Sequence, residues 1–161
     1  MTETIDTADA VMTSETSLRV QRSYEASPEE VFNAWTNPEV LRRWWAVHPH
    51  GSTPVAEVDL RVGGRYRLSM ESPEGERHTV QGEYLEVDSP RRLVYSWQWE
   101  LDAGGLGPAS TVTVEFHERG DRTEVVLEHA GLPDSEARDR HAHGWTECMD
   151  IFGERGFPAA A

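Results

Sequence analysis

Apolar residues in this 161-residue chain recur at every second position from about Val55 to His129, and at helical spacing on either side of that block. A period of two puts alternate side chains on opposite faces of a strand, whereas a period near 3.6 lines them along one stripe of a helix. Within the block the pattern predicts six strands: Ala56 to Val62, Arg65 to Glu71, His78 to Val87, Arg92 to Leu101, Thr111 to Glu118 and Thr123 to His129. Turn residues join them at Gly63-Gly64, Pro73-Glu74-Gly75, Asp88-Ser89-Pro90 and Gly120-Asp121, and a longer flexible loop runs from Gly104 to Pro108. Connections this short link antiparallel neighbours, because parallel strands need long crossovers.

Ahead of the block, a strand is predicted at about Leu18 to Glu25, followed by two short helices that announce themselves by their caps. Ser27-Pro28-Glu29-Glu30 offers an N-cap serine, a proline at the first helical position and a glutamate able to complete a capping box. Asn37-Pro38-Glu39 repeats that logic ten residues later. Apolar residues then follow at helical spacing: Val31, Phe32 and Trp35, then Val40, Leu41, Trp44 and Trp45. After Pro133, Asp134 or Ser135 caps a last helix reaching about Arg155, stopped by Gly156 and Pro158. The resulting fold class is α+β: a seven-stranded curved antiparallel sheet wrapped around a long C-terminal helix, with two short helices after the first strand. A twisted sheet gripping a helix leaves concave space between them, where ligands bind by default.

Residues 1–17 are rich in Thr, Ser, Asp, Glu and Ala without periodicity and read as a disordered arm. Residues 18–156 form a single domain, and 157–161 a disordered tail. The arm lacks the basic segment and apolar run of a signal peptide, and no run approaches the length of a membrane span. A cytoplasmic protein that does not engage membranes is therefore expected. The formal charge is −14 and every basic residue is an arginine, which excludes a Schiff-base lysine and argues against a nucleic-acid partner. The one cysteine, Cys148, rules out an internal disulfide and reads as a small buried hydrophobe in the last helix.

Several segments together resemble a known superfamily. They are Ser27-Pro28-Glu29-Glu30-Val31-Phe32-Asn33-Ala34-Trp35-Thr36, Leu41-Arg42-Arg43-Trp44-Trp45 and Val62-Gly63-Gly64-Arg65-Tyr66-Arg67. Gly82-Glu83-Tyr84-Leu85-Glu86-Val87 and Pro90-Arg91-Arg92-Leu93-Val94-Tyr95-Ser96-Trp97 follow in the same order. Thr111 to Phe116, Thr123 to His129 and the Gly144-Trp145 pair complete the series. From about Leu18 to Arg155 the chain resembles the START-like, or SRPBCC, superfamily with its helix-grip fold. Within it, the chain is most similar to the family of the activator of heat-shock protein 90 ATPase. The resemblance does not extend to the amino-terminal co-chaperone module of the eukaryotic activator. It implies a cavity between sheet and helix, used across the superfamily by lipid and hormone carriers, polyketide cyclases, antibiotic-binding proteins and co-chaperones. Function has to be argued from the site, because one scaffold hosts many.

The leading expectation is a monomer or homodimer that binds a small hydrophobic or aromatic molecule. Leu93, Tyr95, Trp97 and Trp99 share one face of their strand, an aromatic wall. Opposite, Trp145 centres the helix stripe, with His141, Cys148, Met149 and Phe152 within about sixty degrees of it. Trp44, Trp45 and His48 are expected to form one rim. The alternative is a cyclase-, aromatase- or hydratase-like enzyme, whose candidate catalytic residues are His141, His129 and Tyr84, with Glu115 a further polar candidate. His141 lies on the apolar stripe, so a half-buried imidazole with its charged form disfavoured is expected. A third reading is a co-chaperone-like or stress-response interaction protein. No cofactor is expected: Gly63-Gly64 is a hairpin turn, not a phosphate loop, and there is no nucleophile elbow. No metal is expected either, since His48-Pro49-His50 has no third ligand nearby and His141 and His143 point about two hundred degrees apart.

Overall fold

The computed structural model describes residues 8–48 and 50–155. Eleven elements follow in the order β1 Asp9–Ser14, β2 Ser17–Tyr24, α1 Pro28–Thr36, α2 Pro38–Trp44, β3 Ala56–Val58, β4 Arg65–Glu71, β5 Arg77–Asp88, β6 Arg92–Trp99, β7 Ser110–Arg119, β8 Arg122–Ala130 and α3 Ser135–Arg155. The strands form one antiparallel sheet in the order β1-β2-β8-β7-β6-β5-β4-β3. β2 pairs with β8, and the Ala8 N–H donates to the Asp150 carboxylate at 2.9 Å, which brings the start of the described chain to α3.

The helix starts obey their caps. Ser27 accepts the Glu30 N–H at 3.2 Å, Asn37 accepts the Glu39 N–H at 3.0 Å, and Asp134 accepts the Ala137 N–H at 2.8 Å. The proposed stop at Gly156 and the tail at 157–161 lie outside the described residues, as do residues 1–7 of the expected arm.

The sheet has eight strands rather than seven, because residues 9–14 of that arm pair with β2 from Asp9 opposite Gln21 to Ser14 opposite Ser17. β1 is almost wholly exposed, so it carries no inward-facing apolar alternation and is held by main-chain pairing. Hydroxyls tie the hairpin end, with Ser17 Oγ 2.6 Å from Ser14 Oγ and 2.7 Å from Thr13 Oγ1. β3 is shorter than expected, ending at Val58, because the chain turns sharply through Asp59–Gly64. A Cβ at Gly64 would collide with the Asp59 carbonyl, so that turn needs its glycine.

A second departure from regular alternation lies in β5. Tyr84 pairs with Tyr95, but Glu86 pairs with Val94, so Leu85 is a β-bulge. Leu85 and Glu86 are consecutively exposed, while Tyr84 points inward.

The helix α3 buries Ala142, Trp145, Cys148, Met149, Ile151 and Phe152 in the hollow of the sheet. Its C-terminal half is clasped to β2. Arg22 donates to the carbonyls of Met149 and Asp150 at 3.0 and 3.1 Å and to the Asp150 carboxylate at 3.0 Å, and Tyr24 Oη donates to the Met149 carbonyl at 2.8 Å. The core beneath is largely aromatic, with Trp35, Trp44 and Phe152 in mutual ring contact. Each buried ring removes a large apolar area from water, which favours the folded state. No helix among the described residues is long and apolar enough to cross a membrane.

Candidate functional site

The hollow is filled toward the C-terminal end of α3 and open toward its N-terminal half, leaving a cavity of about 310 Å³. Trp97 and Trp99 of β6 form one wall and His141, Gly144, Trp145 and Cys148 of α3 the other. Trp45 and Val47, just past α2, and Met70 with His78 from β4 and β5 complete the lining, Val47 adjoining Met70 and His78. Arg140 and His143 stand at the mouth on the exposed flank of α3.

The indoles of this wall continue into the core. Ring centroids step from Trp35 to Trp44 at 5.1 Å, to Trp45 at 5.7 Å, to Trp97 at 6.0 Å and to Trp99 at 5.3 Å, with Trp145 5.6 Å from Trp45 and 5.1 Å from Trp97. All six tryptophans of the chain thus form one contiguous ring system.

Two histidines are built into this system, each with both ring nitrogens engaged. The Trp99 N–H donates to His141 Nε2 at 2.9 Å, so that nitrogen is the acceptor and Nδ1 carries the proton, donating to the Ala137 carbonyl at 2.7 Å. The Trp145 N–H donates to His129 Nδ1 at 3.0 Å, and His129 Nε2 accordingly donates to Ser110 Oγ at 2.7 Å. Ser110 Oγ in turn lies 3.5 Å from the Trp97 carbonyl. Both rings are neutral in this arrangement. Burial pushes the His129 pKa down to about 3, with the neighbouring His141 adding to the effect. Burial likewise lowers His141, partly opposed by its bond to Ala137. The half-buried, sheet-facing imidazole expected for His141 is what the helix presents.

A second, much smaller cavity of about 10 Å³ lies deeper, behind Trp45 and Trp97, and is walled by Trp35, Tyr66, Tyr84 and Tyr95 among others. Burial raises the pKa of Tyr84 and Tyr95 well above the usual phenol range, so both stay protonated. Burial also pushes the Cys148 thiol up to about 12, leaving an unreactive small hydrophobe in the cavity wall.

Residues 25–155 match the family described as activator of Hsp90 ATPase homolog 1-like protein. The chain belongs to that family. Among solved members of this Hsp90-activator-like group, the AHSA1 protein of Silicibacter pomeroyi is 27% identical with a TM-score of 0.76, covering 86% of this chain and 95% of that one. An HSP90 activator from Plasmodium falciparum is also 27% identical, with a TM-score of 0.63, covering 85% of this chain and 93% of that one. The human activator of 90 kDa heat shock protein ATPase homolog 1 is 21% identical over 128 residues, which are 80% of this chain but 33% of that protein. The chain therefore spans about a third of the curated relative it matches.

The residues expected at the site divide by depth. Trp45, Trp97, Trp99, His141 and Trp145 border the main cavity. Tyr95 and Tyr84 border the inner one. Trp44, Met149 and Phe152 do not line either of them: Phe152 stacks on Trp44 with centroids 4.4 Å apart, sealing the C-terminal end of the hollow. His48 is displaced to a shallow depression beside Met70 and His78, where its Nδ1 accepts the His50 N–H at 3.0 Å. His129 is fully buried behind the wall. Glu115 lies on the other face of the sheet, in a 2.6 Å ion pair with Arg92.

Sequence reasoning missed Met70, His78 and Gly144. Met70 and His78 are cross-strand partners on β4 and β5, and their meeting could have been read only from the register of that hairpin. Gly144 precedes Trp145 and leaves the space that a side chain would fill. Among the described residues, no group of three or more His, Cys, Asp or Glu is placed to hold a metal ion.

Proposed function

We propose that the protein binds a small hydrophobic or aromatic molecule in the cavity between β6 and α3. The observation that carries this reading is the wall itself: four indoles, from Trp45, Trp97, Trp99 and Trp145, border one open cavity of about 310 Å³. That volume suits a molecule of one to three rings. Flat apolar faces presented at fixed angles favour an aromatic or polycyclic body. An enzymatic reading is less well supported, since general acid–base work needs a nitrogen free to take a proton. His141 has its acceptor nitrogen occupied by Trp99, and His129 its own by Trp145.

Gly144 provides the test. A Cβ there would meet its nearest neighbour, Val47, at an ordinary 3.7 Å, so a longer side chain can enter the cavity without displacing backbone. Gly144→Leu is expected to keep the fold and cut affinity for a bicyclic aromatic probe at least about tenfold, on the order of 1.4 kcal/mol. Isothermal titration calorimetry of both proteins with 1-tetralone measures it. Equal affinities in the two proteins would remove the cavity from the binding reading.

The names of the human and Plasmodium relatives favour a second reading, action on an Hsp90-type chaperone. Leu60, Val62 and Leu85 are exposed apolar side chains in the β3–β5 region, and the Gly63 N–H bonds to the Tyr84 carbonyl beside Leu85. An Hsp90 ATPase assay with and without this chain decides it. Stimulation that survives Gly144→Leu but is lost on Val62→Glu would assign that activity to the exposed patch, and an unchanged rate would retire it.

A further inference from the structure

Four of the six indole N–H groups have acceptors: Trp35 donates to Tyr95 Oη at 3.4 Å, Trp44 to the Ala34 carbonyl at 2.9 Å, Trp99 to His141 and Trp145 to His129. The remaining two, Trp45 and Trp97, have buried N–H groups with no acceptor among the described residues. The residues themselves are 2% and 3% exposed. An indole N–H is a donor only, and burying one without an acceptor is unfavourable, so such groups are uncommon and call for a cause.

The unpartnered pair is not scattered through the core. Trp45 and Trp97 are the two tryptophans that border both cavities, and together they form the partition between the outer and the inner one. Their rings are held by packing and not by hydrogen bonds: Trp45 on Trp44 and Trp145, Trp97 on Trp99, His129, His141 and Trp145, and the two on each other. Turning either ring breaks no hydrogen bond, whereas turning Trp99 or Trp145 would strip a histidine of its donor. The pinned indoles shape the wall, whereas the N–H groups of Trp45 and Trp97 are closed off from the open cavity as they stand and meet a ligand there only when the ring turns.

We infer that Trp45 and Trp97 are a donor pair that recognises a carbonyl-type oxygen on the ligand. This rests on the apolar-ligand reading and narrows it: the ligand is a neutral aromatic or polycyclic molecule bearing a ketone, quinone or ester oxygen. The apolar body lies against Trp99, Trp145 and Met70, and the oxygen points at the partition. A charged carboxylate fits less well, because the nearest cation, Arg140, stands at the mouth, where it pairs with Glu136 at 3.5 Å. Hydroxyls offered only as donors find no free acceptor on the two indoles.

The test compares two probes of one skeleton, 1-tetralone and tetralin, which differ by the carbonyl. Calorimetry of the full chain is expected to show 1-tetralone bound at least about tenfold more tightly. In nitrogen–proton spectra, the indole N–H signals of Trp45 and Trp97 move downfield with 1-tetralone and not with tetralin. In the Trp45→Phe, Trp97→Phe double variant each affinity falls with the lost ring area, and the ratio between the probes falls toward one. Equal wild-type affinities with those two signals unmoved by either probe would overturn the donor pair and leave the apolar-ligand reading standing. Binding of neither probe overturns both. Should the double variant not fold, the wild-type spectra still decide, because the indole signals are assignable through their own side-chain carbons.

Discussion

His129 is an imidazole used as a structural amide would be: it accepts on one edge from Trp145 and donates on the other to Ser110. That role requires the neutral ring, and the surroundings enforce it. Its pKa of about 3 lies far below the 6.5 of an unfolded histidine, with burial the main cause. As pH falls through 6.5 the unfolded chain takes up a proton that the folded chain refuses, so unfolding gains at the expense of the native state. The stability from this residue is complete above about pH 6.5 and is lost progressively between there and about pH 3. His141, shifted the same way, adds a shallower slope of the same sign. Denaturant titrations from pH 7 to pH 4 should show stability falling by up to ~1.4 kcal/mol per pH unit from His129, with His141 adding in the same direction. In His129→Gln, which keeps a donor and an acceptor but cannot ionise near neutrality, the slope should be distinctly shallower. An unchanged slope would mean that other groups govern the acid limb.

The helix α3 carries two glycines for which one substitution has opposite expected signs. Alanine in place of a helical glycine ordinarily stabilises by up to ~1 kcal/mol. Gly144→Ala should do so, since its Cβ finds only an ordinary contact with Val47. At Gly153 the same Cβ would collide with the Arg22 guanidinium, which three hydrogen bonds hold against Met149 and Asp150. Gly153→Ala should therefore destabilise by roughly 1–3 kcal/mol through loss of that clasp. Thermal and denaturant unfolding of the two variants checks both signs, and a stabilised Gly153→Ala would show that the Arg22 guanidinium shifts aside at little cost. Elements such as β6 and α3 were legible because burial on one side writes a period into the chain: Tyr95, Trp97 and Trp99 alternate, and Trp145, Cys148 and Phe152 follow the helix. β1 was not legible, because main-chain pairing at an exposed edge leaves no such trace. Nor was the inward turn of Tyr84, because a slip of one residue in the register of β5 would put it on the other face. At the site, the aromatic wall could be read from one strand. The pairing of each histidine with an indole joins residues 42 and 16 positions apart in the chain, which no local pattern encodes.

Over the whole molecule, 29 acidic residues face 15 basic ones, and the ion pairs that form are mostly at the surface. Exposed pairs are worth little each and weaken with salt, while the uncompensated charge of −14 repels itself over longer distances. The Debye length shrinks from about 30 Å at 0.01 M to about 8 Å at 0.15 M, which relieves that repulsion. The melting temperature should rise by a few degrees as sodium chloride is added from about 0.01 to about 0.2 M. A fall over that range would mean that the ion pairs outweigh the net charge. The contiguous indoles have a consequence of another kind. Rings spaced 5.1 to 6.0 Å apart exchange electronic excitation far faster than they emit, so a photon absorbed by Trp35 or Trp44 deep in the core is not confined there. It is shared with Trp45 and Trp97 at the cavity wall. A quinone or ketone seated against that wall would quench the emission of all six tryptophans at once, making the protein its own occupancy sensor.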